Sequence, residues 1–208
     1  MTVPPVLSGL VETIQIGRRT GEWQLKLDER VTADAPLLEI VEPFLAAFPY
    51  ARFSKIEYYP GEDADEQEWS AADGTPALEL FDASGYGFDA ELDLALFWED
   101  GSEPRETVIP GGAQLFFTRE VPSVTLTIWP NLFTDTVRLP TREPSDLATP
   151  QYTSELVAWP TAAARNRERL EASLRDWEHR SGGEIELWGT DRVEQVTRYG
   201  IPASAEPR

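Results

Sequence analysis

The chain has 208 residues and no cysteine, with 37 Asp plus Glu against 18 Lys plus Arg, a formal net charge of −19. That composition excludes a disulfide framework, a thiolate nucleophile and a cysteine-based zinc site. A field of this sign also repels nucleic acid and anionic membrane, and it attracts basic partners.

Along the chain, Leu10 to Ile16 alternates apolar and polar residues, Gly17 to Gly21 reads as a hairpin loop, and Trp23, Leu25 and Leu27 mark a returning strand. Asp34 and Pro36 signal a helix start. The spacing of Leu37, Ile40, Val41, Phe44, Leu45 and Phe48 predicts one apolar helix stripe, kinked or divided at Pro43. Phe53 to Tyr59 is a strand candidate. Glu62 to Gly74 reads as an exposed loop or short frayed helix, Leu78 to Phe81 as a short strand, and Ser84 to Gly87 as a turn. Phe88, Ala90, Leu92, Leu94, Leu96 and Trp98 then form one face of a strand whose other face begins with Asp89, Glu91 and Asp93.

Asp100-Gly101 and Pro110-Gly111-Gly112 predict two turns of an antiparallel meander that continues through Gln114–Thr118 and Val124–Ile128. Pro140 to Pro150 reads as a linker. Thr161 is placed to cap a helix running to about Arg180, with Leu170, Leu174 and Trp177 buried and Ser181-Gly182-Gly183 ending it. Ile185 to Val196 predicts a last hairpin around Gly189. The expected fold is therefore α+β, a largely antiparallel sheet with two main helices packed on one face. It is expected as one domain over residues 1–200, with a flexible tail at 201–208.

The acids are unevenly distributed. Fifteen lie between Lys55 and Arg105, where there is no Lys or Arg. Phosphate-binding glycine loops and a nucleophile elbow are absent from the sequence. A single histidine, His179, falls at the end of the long helix, where an imidazolium complements the dipole. Arg165, Arg167, Arg169 and Arg175 alternate with Glu168, Glu171, Asp176 and Glu178, which reads as a solvated, salt-bridged helix face. No catalytic residue, metal site or cofactor is assigned. The segment Asp63 to Glu68 departs from a calcium loop at Gln67 and Glu68.

These features lead to the expectation of a non-catalytic interaction protein, cytoplasmic because neither a signal peptide nor an apolar span of about 18 residues is evident. It would present an acidic face to a basic protein partner, as an immunity protein or antitoxin does to a basic bacterial toxin. The expected contact residues are Glu62, Asp63, Asp65, Glu66, Glu68, Asp89, Glu91 and Asp93, with Trp69 as an exposed aromatic anchor; Trp129 is a second candidate for exposure. The alternative is a carboxylate-based glycosidase or sugar-binding module, which would show two acids facing each other across an aromatic-lined cleft.

Overall fold

A computed structural model describes residues 21–28, 35–61, 65–71, 81, 85–99, 103–128, 133–142, 152–187 and 196–203. Its elements in chain order are β1 (Gly21–Lys26), α1 (Leu37–Ala47), β2 (Ala51–Tyr59), β3 (Gln67–Ser70), β4 (Gly87–Trp98), β5 (Arg105–Thr118), β6 (Ser123–Ile128), β7 (Thr136–Arg142), β8 (Tyr152–Ala158), α2 (Pro160–Ser181) and β9 (Glu184–Leu187). Seven strands form one open antiparallel sheet in the order β3-β2-β4-β5-β6-β1-β9, and β7 pairs with β8 alone. The fold is α+β, as the order of strand and helix periods along the sequence, without regular βαβ alternation, predicts.

Period-2 spacing sorts the side chains of the sheet onto two faces. Trp69, Ile56, Ala90, Leu115, Leu126 and Trp23 follow one another through the register and are all buried. One residue along, the row reads Glu68, Glu57, Asp89, Phe116, Thr125, Gln24 and Glu186. The apolar row belongs to the same core as the helices. Phe44 of α1 and Phe48 at its C-cap meet Trp177 of α2 edge-on, at 5.4 and 6.0 Å between ring centroids. Leu170, Leu174 and Trp177 are fully buried, as their helical spacing predicts.

The meander holds with one correction. Leu92, Leu94, Leu96, Leu126 and Ile128 are buried, but Pro110-Gly111-Gly112 does not turn the chain. These residues form a bulge inside the continuous strand β5: Leu92 pairs with Ala113 and Leu94 with Ile109, so three residues oppose Asp93 alone. Gly111 takes the left-handed conformation the bulge requires (φ +57°), and its N–H donates to Asp93 Oδ1 at 3.0 Å. A carboxylate opposite the bulge supplies the acceptor that a β-turn would have supplied from backbone.

Other boundaries also move. Helix α1 runs unbroken through Pro43, with Pro36 at its N-cap position; Asp34 lies outside the described residues. Helix α2 begins at Pro160, so Thr161 sits inside it, and the Ala162 N–H is capped by the Glu99 carboxylate. Gly182 ends it in the left-handed conformation (φ +66°), as predicted. Part of the predicted loop after Glu62 is strand β3, and Pro140 lies within β7, in a two-stranded sheet that leaves each strand an edge where a missing N–H is tolerated. Strand β9 pairs with β1, while Gly189 and Val193 lie outside the described residues. Ile201, expected as the start of a tail, is buried, and residues 204–208 lie outside the described residues. The strand expected at Leu10–Ile16, the loop residues Gly17–Thr20 and Asp100-Gly101 fall outside the described residues; of the strand candidate Leu78–Phe81 only Phe81 is described, and it is buried and helical, not extended.

The arginines of α2 are not one solvated face. Arg175 and Arg180 pair with Glu171 and Asp176 one turn away. Arg167, however, is only 15% exposed and clamps the Phe133 carbonyl and Asp135, while Arg169 reaches the Ala95 carbonyl and Glu106. Beyond Leu94, β4 has no partner in β2, and α2 takes that place. The buried Asn166 amide accepts from the Phe97 N–H at 2.9 Å and donates to the Phe97 carbonyl at 2.8 Å.

Candidate functional site

The acids that the sequence singles out converge where β3, β2 and β4 lie side by side. Glu68 is paired in register with Glu57, and Glu57 with Asp89; in the next row Ser70, Lys55 and Glu91 are neighbours. Like charges directly opposite on adjacent strands repel, and one lysine offsets part of this. Lys55 Nζ donates to Glu57 at 2.7 Å and lies 3.1 Å from Glu68, and those two hydrogen bonds hold it protonated above the ordinary lysine range. Asp89 is half-buried and accepts from Gln114 Nε2 at 2.6 and 2.7 Å. Burial raises its carboxyl above the usual range and the nearby Glu57 adds to this, against the Gln114 hydrogen bond and Lys55. At the β2 end, burial pushes the Tyr59 phenol upward, and the negative charges of Glu57, Asp89 and Glu66 add to it. Five carboxylates, of Glu57, Glu66, Glu68, Asp89 and Glu91, thus share one stretch of surface with a single ammonium.

The expected residues do not all take part. Glu62 and Asp63 lie outside the described residues, as does Trp129. Asp65, Glu66, Glu68 and Glu91 are exposed. Asp93 is half-buried at the bulge and bound to Gly111, facing Arg52 in register. Trp69 corrects the expectation of an exposed anchor: it is only 9% exposed and faces the core opposite Ile56. The reason is parity. Once Gln67–Ser70 pairs as a strand, Glu68 and Trp69 must point to opposite faces, and the apolar one turns inward. Glu57, Lys55 and Tyr59 are members of the cluster that the base-free window did not single out, since it counts charge along the chain and not across strands.

A separate cleft of about 970 Å³ opens between the end of α1, α2 and the middle of β4 and β5, with Tyr50, Arg52, Asp93, Glu106, Arg169 and Asp176 in its wall. Its carboxylates are each engaged: Asp93 by Gly111, Glu106 by Arg169 and Asp176 by Arg180. The Tyr50 hydroxyl is buried near Ser173 without a hydrogen bond of normal geometry, and burial pushes its ionisation far above the ordinary phenol range. The Arg169 guanidinium lies 5.0 Å from the Tyr50 ring centre. His179 is exposed in the last turn of α2. Among the described residues no group of three or more His, Cys, Asp or Glu is arranged to hold a metal ion, and no helix is long and apolar enough to cross a membrane. No known family model, curated protein or solved structure matches the chain.

Proposed function

We propose that this protein is a non-catalytic binding partner that docks a basic protein on the carboxylate surface of β3, β2 and β4. The observation that carries the reading is the cross-strand crowding of Glu68, Glu57, Asp89 and Glu91 around one lysine, with Asp65 and Glu66 exposed beside it. Cations from a partner would relieve repulsion that the fold leaves only partly offset. Concentrated charge of one sign also speeds encounter and excludes acidic competitors. An immunity protein or antitoxin bound to a basic toxin is one form of this reading. A carboxylate-based hydrolase finds less support, because the acids of the large cleft are each tied to a structural partner.

The test uses affinity capture followed by titration calorimetry. Wild type and a variant with Asp65, Glu66, Glu68 and Glu91 changed to Lys serve as baits, and a variant with Glu168 and Glu171 changed to Lys serves as the control. A basic partner should bind wild type and control alike and lose at least about tenfold in affinity to the first variant. The affinity should fall as salt rises, since the field is screened within roughly 8 Å at physiological ionic strength. A partner whose binding ignores both salt and the acidic reversal would overturn the reading.

A further inference from the structure

The acidic row does not stop at Asp89. Its next member in register is Phe116 of β5, and Phe116 is 39% exposed on the face that carries the carboxylates. Val121, 49% exposed, lines the same groove of about 320 Å³, together with Gln24, Gln114, Thr125 and Thr127. Of the three large apolar side chains exposed among the described residues, these two share the groove, and Leu187 is the third. Two of the floor amides are already used: Gln24 Nε2 donates to Ser123 at 2.6 Å and Gln114 Nε2 to Asp89. The groove therefore sets two exposed apolar side chains beside a bank of negative charge, over a polar floor that includes the buried Glu22.

We propose that Phe116 and Val121 form the apolar anchor point of the acidic docking surface. The occupant is a segment of the basic partner in which an aromatic or aliphatic residue is flanked by Lys or Arg. The apolar residue packs on Phe116, and the flanking cations lie over Asp89, Glu57 and Glu91. This rests on the acidic-surface reading above and adds to it the character of the partner. Charge decides the occupant: two copies of a chain of net charge −19 would bring like-charged surfaces together, whereas a cationic segment meets its complement. Affinity in such interfaces concentrates in a few packed apolar or aromatic contacts ringed by polar ones, the arrangement seen around Phe116.

Two synthetic probes test it, heptalysine and the same peptide with phenylalanine in the central position. Calorimetry at low salt should show the phenylalanine peptide binding wild type about fivefold more tightly than heptalysine. Phe116→Ser should erase that difference and leave heptalysine affinity unchanged, and Val121→Ser should reduce it. Both variants should melt cooperatively and fall only modestly below wild type, since each side chain is partly exposed. Equal binding of the two peptides to wild type, or a preference that survives Phe116→Ser, would overturn the anchor. Concentration-dependent dimerisation abolished by Phe116→Ser would overturn it in favour of a second copy as occupant. Loss of neither peptide on reversing Glu57 and Glu91 to Lys would instead sink the acidic-surface reading, so the two failures are distinguishable.

Discussion

Glu178 gathers three donors: the Ile185 N–H at 2.7 Å, Arg198 at 2.6 Å and the Tyr199 hydroxyl at 2.5 Å. Burial alone would raise its carboxyl, but these hydrogen bonds outweigh it and hold the group below the ordinary value of 4.5. A carboxylate with a depressed folded-state pKa contributes stability that is complete above its unfolded value and is lost as pH falls through the folded one. Glu178→Gln should therefore cost about 1–3 kcal/mol at neutral pH and almost nothing in acid, which melting curves from about pH 7 down to about pH 3 would show as converging temperatures. Asp89 has the opposite sign. Its raised carboxyl means that stability falls as pH rises from the ordinary 3.8 through the folded value. Asp89→Asn retains an acceptor for Gln114 and removes the repulsion from Glu57. It should stabilise the fold by less than about 1 kcal/mol while weakening heptalysine binding. Such a trade of stability against binding separates a functional acid from a solubilising one.

At the scale of elements, two local solutions hold the sheet together. The edge of β4 past Leu94, left without a partner in β2, is completed by a side chain, as Asn166 supplies to Phe97 the donor and acceptor that a neighbouring strand would have given. Asn166→Ala should cost about 1–3 kcal/mol for each backbone group left unpaired. Leu174→Ala should cost about 2–5 kcal/mol through the cavity it leaves. Arg175→Ala, at a solvated pair on the same helix, should cost less than about 1 kcal/mol. Denaturant melts that reversed this order would mean the inward face of α2 is wrong. The other solution is the β5 bulge. Gly111→Ala should cost about 1–2 kcal/mol from the left-handed conformation. The added Cβ would lie 2.8 Å from Glu91 Oε1, the end of a flexible side chain that can swing aside. Stability should thus fall without loss of fold, which circular dichroism and melting temperature together would check.

For the molecule as a whole, the sheet converts an uneven charge distribution into an uneven surface. Strand pairing places Glu57, from before the acidic loop, between Glu68 and Asp89, which lie 21 residues apart in the chain. The surface is therefore denser in charge than the linear count implies, and its association kinetics should carry the signature. Encounter with a cationic partner should slow as ionic strength rises, and dissociation should respond mainly to changes at Phe116. Stopped-flow measurements on wild type and Phe116→Ser at two salt concentrations would check this division.

Sequence periodicity alone determined the strands Trp23–Leu25, Phe88–Trp98 and Val124–Ile128, the buried stripes of both helices and the glycine stop of α2, because each depends on burying one face of a local repeat. It also located the acidic segment, since composition is visible without a fold. The tertiary structure decided what pairing decides. Pro110-Gly111-Gly112 carries turn chemistry, yet β4 continues past it and Asp93 accepts the orphan N–H, so the glycines bulge and the chain does not reverse. Trp69 sits among acids and reads as exposed until Gln67–Ser70 pairs with β2 and parity turns it inward. Phe116 follows a buried leucine and precedes a buried phenylalanine, and only its register with Asp89 sets it on the acidic face. Local patterns report which side of an element is apolar, whereas a neighbour's register decides which side chains meet across it.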